Sequence, residues 1–447
     1  MHIAGNVRSI SLWVCSFLIC IAPALVNGFP FHVPDSLSYD GRGIGNSLRS
    51  SVPSVIAHPL YLFVGPWSLV IINSMVFSFL LIRLRRVYFA QVPSWLTLFL
   101  TAISLVPLFS SVILVDIWAL FLAMAFLKLW KGGFSWFEFV ITICACASHG
   151  SHQFIFAASL LAIWITSMVL KHSRCLMNLN ILLAGVAILV SGVLLDLMSS
   201  SLLSNMTRLS TATIASKVMS DVPDAFDAFC QQQSSHPNCQ MLSYVHSIPR
   251  REDDDGQYLW KLYAEGVPLD SLNKFGFELG VFVMKHYPLQ YIWESLQDFA
   301  RLMTVKYDGL MFLSYDRGYG NSRATLTRSG VFSHEIAHFA IIFINGALIL
   351  SAVVLLGVLA LKRGPLLIES LFCTYFFIAN DLFFAFTSGT YSRYHLRLLF
   401  LPALVVLFAT SVLYSDASVL KLRDCRALHR YKLSVLRYMH IFGAAVI

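Results

Sequence analysis

Long apolar runs broken by short polar turns fill the first 197 residues, a mixed polar stretch follows over 198–333, and three further apolar runs precede a basic tail. Crossing a ~30 Å hydrocarbon core takes about 20 apolar residues. Runs near 10–27, 61–82, 95–110, 112–127, 134–149, 152–170, 178–197, 336–361, 365–386 and 397–414 meet or approach that length. The pattern predicts an all-α integral membrane protein with about ten transmembrane helices and one outer-side, mostly helical insert. The third to fifth runs are short or closely coupled, which leaves the count open by two. The predicted layout is a transmembrane module over 1–197 with a first outer loop at 28–60, an insert over 198–333, transmembrane helices over 334–414 and a basic cytoplasmic tail over 415–447. Inside the insert, His286 to Met303 places Leu289, Ile292, Leu296, Phe299 and Leu302 three or four residues apart. Such an amphipathic helix lies on the membrane, caps the bundle or half-buries itself in a small soluble domain.

Composition agrees: 57% of the 447 residues are hydrophobic and 13% charged, which excludes a water-soluble domain. Fifteen of the 24 acidic residues fall between Asp221 and Glu335, so the polar material sits in the insert. Charge then sets the orientation, because short outer loops normally exclude Lys and Arg. With both termini cytoplasmic, the inner segments hold 16 of the 32 basic residues, from Arg8, Arg83, Arg85 and Arg86 to the six of the tail. The first helix also reads as a cleavable signal, since Arg8 precedes the apolar run and Ala22-Pro23-Ala24 offers small residues. Cys230 and Cys239 stand alone in the insert, where an oxidising compartment favours a disulfide.

Four arginines break the charge rule: Arg42, Arg49, Arg393 and Arg397 occupy short outer loops, beside Asp35, Asp40 and Asp116. Basic groups kept there point to an anionic partner at the outer leaflet. The inner loops are too short for a nucleotide-binding domain, and Gly41-Arg42-Gly43-Ile44-Gly45 neither follows a strand nor opens a βαβ unit. A transferase of this design takes its donor from the bilayer, and no feature points to nucleic acid.

The outer segments carry a resemblance. Pro34-Asp35-Ser36-Leu37-Ser38-Tyr39-Asp40-Gly41-Arg42 after one membrane helix looks like the first outer loop of the GT-C superfamily, multi-pass glycosyltransferases that use polyprenyl-phosphate sugars, and in particular a bacterial multi-pass branch of it. Val106-Pro107-Leu108 through Val115-Asp116-Ile117-Trp118 is similar to their second carboxylate-bearing turn. Tyr391-Ser392-Arg393-Tyr394-His395-Leu396-Arg397, followed by Pro402, resembles their late Arg-Tyr-then-proline segment. The chain departs in carrying an isolated Asp35 where an acidic doublet is frequent. The resemblance implies sugar transfer from a polyprenyl-phosphate lipid on the outer face of a bacterial inner membrane. Asp35 would be the general base, and Arg42, Arg393, Tyr394 and Arg397 would hold the donor phosphate. Asp116 would orient the acceptor or share a divalent cation with Asp35; no cofactor is otherwise required. Tyr39, Asp40, His149, His152 and Asp381 are further candidates for substrate contact. The alternatives are a non-catalytic transporter or flippase of lipid-linked sugar, and helix capping with binding of anionic lipid headgroups.

One motif competes. His334-Glu335-Ile336-Ala337-His338 matches H-E-x-x-H, which on a helix sets two imidazoles one turn apart to bind zinc, as in an intramembrane metalloprotease. The third ligand would have to come from Asp381 or His395. An interfacial turn at a helix start is the plainer reading. The basic tail reads as an anchor to anionic inner-surface lipid.

Overall fold

The computed structural model describes residues 2–32, 36, 39, 49–170, 179–203, 211–233, 236, 239, 263, 266–304, 334–362, 366–388 and 392–421. Among them the chain is helical, with one isolated parallel bridge between Phe31 and Val112 and no strand. Among the described residues, seven segments are long and apolar enough to cross a membrane: Ser9–Asn27, Trp67–Tyr88, Gly150–Val169, Leu179–Leu203, Phe339–Leu361, Leu367–Thr387 and Arg393–Ser415. The protein is an all-α, multi-pass membrane type.

The remaining expected crossings are shorter, and the reason is local. Helix α1 (His2–Asn27) ends at Gly28, whose φ of 77° turns the chain. The run expected at 61–82 divides at Gly65-Pro66 into α2 (Val52–Val64) and α3 (Trp67–Tyr88), since Gly65 at φ 57° leaves the helix and Pro66 lacks an amide proton. The run at 95–110 divides into α4 (Ser94–Ile103) and α5 (Val106–Ser110) at Leu105, a non-glycine residue at φ 61°. The next, α6 (Trp118–Gly132), is buried from Trp118 through Lys128. At 1.5 Å per residue it is too short to span lipid alone and serves as a core helix instead. Helix α7 (Trp136–Ala147) is likewise short, and α8 (Gly150–Leu170) and α9 (Leu179–Leu203) complete the module. A Cβ on Gly192 of α9 would stand 2.7 Å from Cys146 Sγ, so this glycine lets α9 approach α7 closely.

The insert contributes α10 (Ala212–Asp221), α11 (Pro223–Gln232), α12 (Leu269–His286) and α13 (Pro288–Thr304). They share their own apolar core, including Val218, Phe226, Phe229, Phe275 and Leu279, and a Cys230–Cys239 disulfide ties the end of α11 to the segment after it. Three longer helices and a short one follow: α14 (His334–Leu361), α15 (Leu367–Thr387), α16 (Ser392–Leu396) and α17 (Phe400–Lys421). The insert seats on the bundle through Tyr291 Oη, which donates to the Phe386 carbonyl, and through Met303, whose carbonyl accepts from Asn345 Nδ2 at 3.0 Å.

Charged groups collect at two levels. At one end of α3, α6, α7 and α15, Arg83 Nε meets Glu138 Oε1 at 2.7 Å, Lys128 Nζ meets the same oxygen at 3.5 Å, and Lys131 Nζ lies 3.8 Å from Glu369. The other level, at the opposite end of α6 and α15, holds the candidate site.

Candidate functional site

Asp116 is placed by a non-helical turn, 111–117, sunk into the bundle. Ser111 holds one side of that turn: its hydroxyl donates to the Cys20 carbonyl at 3.0 Å and accepts from the Ala24 amide at 3.2 Å, inserting into the hydrogen-bond ladder of α1 next to Pro23. Phe31 pairs with the same turn through Phe31 N to Ser111 O and Ile113 N to Phe31 O, both 3.0 Å. From α3, Asn73 donates to the Leu114 carbonyl at 3.4 Å and accepts from Trp118 Nε1 at 2.8 Å. Irregular backbone at this depth is tolerable because protein, not lipid, surrounds it.

Two arginines from the far end of the sequence reach this carboxylate. Arg397 Nη1 donates to Asp116 Oδ1 at 3.2 Å, and Arg393 Nε lies 3.9 Å from Asp116 Oδ2. Arg397 also donates to Asn380 Oδ1 at 2.7 Å. Tyr394 stacks face to face on Phe384, and both guanidinium groups lie over these rings, Arg397 at 4.9 Å from the Phe384 centroid and Arg393 at 5.1 Å from that of Tyr394.

A fully buried polar layer holds α16 in place from beneath. Asn380 Nδ2 donates to Asp381 Oδ1 at 2.9 Å and to the Tyr394 carbonyl at 2.7 Å. His395 Nδ1 faces Asp381 Oδ2 at 2.5 Å, and its Nε2 faces Asn345 Oδ1 at 2.8 Å. The Met303 carbonyl fixes the Asn345 amide, so Oδ1 is the atom turned to His395 and Nε2 must carry a proton. Asp381 therefore braces the arginine loop through His395 and Asn380.

The α7–α8 turn supplies the third side. His152 Nδ1 donates to the Ala145 carbonyl at 2.9 Å, which leaves the Nε2 lone pair on the far side of the ring. His149 Nδ1 accepts from the Ser151 amide at 3.2 Å, and its Nε2 lies 3.4 Å from Arg49 Nη1. Burial, then the Arg49 charge, holds His149 well below the ordinary imidazole range; His152, Arg397 and Arg393 add to that effect. Three buried polar atoms of this region have no hydrogen-bond partner among the described residues: Asp116 Oδ2, Arg397 Nε and His152 Nε2. Buried groups of this kind call for a polar partner.

Of the residues singled out from the sequence, Asp116, Arg393, Tyr394, Arg397, His149, His152 and Asp381 thus gather in one region. Asp35, Asp40 and Arg42 lie outside the described residues, as do the side chains of His334, Glu335 and His338 at the start of α14. Tyr39 is buried in the bundle core. Among the described residues no group of three or more His, Cys, Asp or Glu side chains is placed to hold a metal ion. Asn345 was not foreseen, and His395 was considered only as a zinc ligand. Arg49 stood out by its charge but had no assigned partner. Next to the His395 layer, around Phe377, an apolar cavity of about 80 Å³ opens between α14, α15 and α17, bordered by Met303, Ile349, Leu356, Cys373 and Pro402. Comparison of the chain with protein-family models, curated proteins and solved structures gave no match.

Proposed function

We propose that this region binds the phosphate of a membrane-borne lipid, and that the chain is a GT-C-like glycosyltransferase that moves a sugar from a polyprenyl-phosphate donor to an acceptor hydroxyl. One observation carries the reading: Arg393 and Arg397 converge on Asp116 beside Arg49, His149 and His152, with Arg397 Nε a buried donor that lacks a hydrogen-bond partner among the described residues, while the acceptors Asp116 Oδ2 and His152 Nε2 suit hydroxyls of a sugar. Guanidinium groups match phosphate in geometry and charge. The apolar cavity one helical turn from Asp381 supports a ligand that is part lipid.

In the reaction, the acceptor oxygen bonds to the anomeric carbon as that carbon's bond to the phosphate oxygen breaks. The electron pair leaves with the phosphate, which Arg393 and Arg397 stabilise, and the hydroxyl proton passes to Asp35. Asp116 holds the Arg397 guanidinium. With two guanidinium groups already against it, Asp116 is a poor place for a divalent cation, so the reading needs none. The site faces the outer side of a bacterial inner membrane with both termini cytoplasmic, as the basic-residue distribution supports.

A flippase or transporter of lipid-linked sugar would use the same arginines without a base, and the engagement of Asp116 by Arg397 favours that alternative to the extent that it removes a second carboxylate from chemistry. Asp35→Asn separates the two. Turnover of a polyprenyl-phosphate sugar should fall about 10²–10⁴-fold while donor binding stays unchanged. Unaltered turnover would remove Asp35 from the mechanism, and transbilayer movement without sugar transfer would establish the alternative.

A further inference from the structure

Helix α13 buries a charge and exposes apolar side chains. Its inward face carries Tyr291, Ser295, Asp298 and Leu302, and Asp298 there pairs with the fully buried Lys217, which also meets Asp221 at 2.5 Å, and with Arg301 at 2.9 Å. Its outward face carries Leu289, Ile292, Trp293, Leu296 and Ala300, one stripe at spacings of three and four, with Leu289 82%, Trp293 62% and Leu296 44% exposed. On α12, Phe277, Val281 and Met284 extend the exposed apolar stripe. A helix on a water-soluble domain turns its apolar side in. Polar-in and apolar-out is the arrangement of helices in lipid, where charged groups face the protein interior.

The position of α13 matches. Tyr291, near its start, belongs to the insert core, whereas Leu302, near its end, belongs to the core of the membrane bundle. Met303 bonds Asn345, which lies within the apolar Phe339–Leu361 segment, and Phe339, Ile342 and Phe343 of that segment are themselves exposed beside it. The exposed apolar side of α13 thus meets α14, whose own exposed residues are apolar, at the Met303–Asn345 contact.

We propose that the outward face of α13, with the adjoining stripe of α12, is immersed in the bilayer, so that the insert is sunk into the leaflet it sits on and does not stand clear of it. This holds whichever activity the arginine site has. At 17 residues and about 25 Å the helix is too short and too charged to span, and it lies as an interfacial helix with Trp293 among the acyl chains.

The test uses the full chain in phosphatidylcholine vesicles with brominated acyl chains. The Trp293 emission is taken as the difference between the wild-type protein, which has nine tryptophans, and Trp293→Phe. Most of that emission should be quenched by brominated lipid and little of it by aqueous iodide. Leu289→Trp in the Trp293→Phe background repeats the reading from the same face should the first difference be small, and Asp224→Trp, at an exposed polar position of α11, should be reached by iodide. Iodide quenching at 289 and 293 would overturn the proposal by placing the face in water. Protection from both quenchers would overturn it too, by showing that a protein surface, a second copy included, covers the stripe.

Discussion

Arg397 keeps 1% of its surface exposed between the Asp116 carboxylate and the Asn380 amide, and Asp116 is scarcely more accessible. A buried ion pair is close to neutral against an apolar pair, but removing one partner strands the other charge at a cost of about 3–5 kcal/mol. Arg397→Gln should therefore lower the unfolding temperature sharply, and Asp116→Asn added to it should restore part of the loss. Strictly additive losses in this double-mutant cycle would show that the two side chains do not act as a pair. Arg393, Arg397 and Asp116 were legible in the sequence because charge in short outer segments is conspicuous against an apolar chain. Asn345 was not, since one asparagine in an apolar helix does not announce which residue it faces. Asp381 was legible as an intramembrane acid but not as the brace of His395, because that role depends on a histidine 14 residues away and an asparagine 36 residues before it.

At the level of elements, hydrophobic run length located the seven segments long and apolar enough to cross a membrane, while the breaks within runs and the insert helices α10, α11 and α12 escaped it. Leu105 adopts a left-handed conformation that its side chain does not foretell, and α6 reads as a crossing although its length and burial make it a core helix. The amphipathic helix expected over 286–303 is present as α13, but which side faces inward depends on Lys217, 81 residues from Asp298 in sequence. Close approach of α10 and α12 was also invisible, since it rests on Gly276, where a Cβ would stand 2.0 Å from the Thr211 carbonyl oxygen. Gly276→Ala should force these backbones apart and destabilise the insert by about 1–3 kcal/mol or more. Faster hydrogen exchange confined to α10 and α12 is the expected signature, and unchanged exchange there would contradict the close contact.

Across the whole molecule, two charged levels bracket an apolar bundle: the Arg83–Glu138, Lys128 and Lys131–Glu369 contacts at one end, and Arg49, Asp116, Arg393 and Arg397 at the other, beside the insert. The proposed orientation, drawn from the positive-inside rule, puts the first level on the cytoplasmic side. Impermeant labelling of intact cells should modify an introduced cysteine at Asp224→Cys in the insert but not one at Lys131→Cys, and the reverse pattern would invert the proposed orientation. The central claim is that the second level recognises a lipid phosphate, and the most direct measurement compares binding of a polyprenyl phosphate with that of the uncharged polyprenol to the protein in nanodiscs. The arginine used for the test is Arg393, whose loss does not strand Asp116, because Arg397 still pairs with it. The account predicts that the phosphate binds more than about tenfold more tightly than the alcohol, a difference of about 1.4 kcal/mol or more, and that Arg393→Gln erases most of that preference while leaving binding of the alcohol unchanged. Equal binding of phosphate and alcohol by the wild-type protein would contradict it.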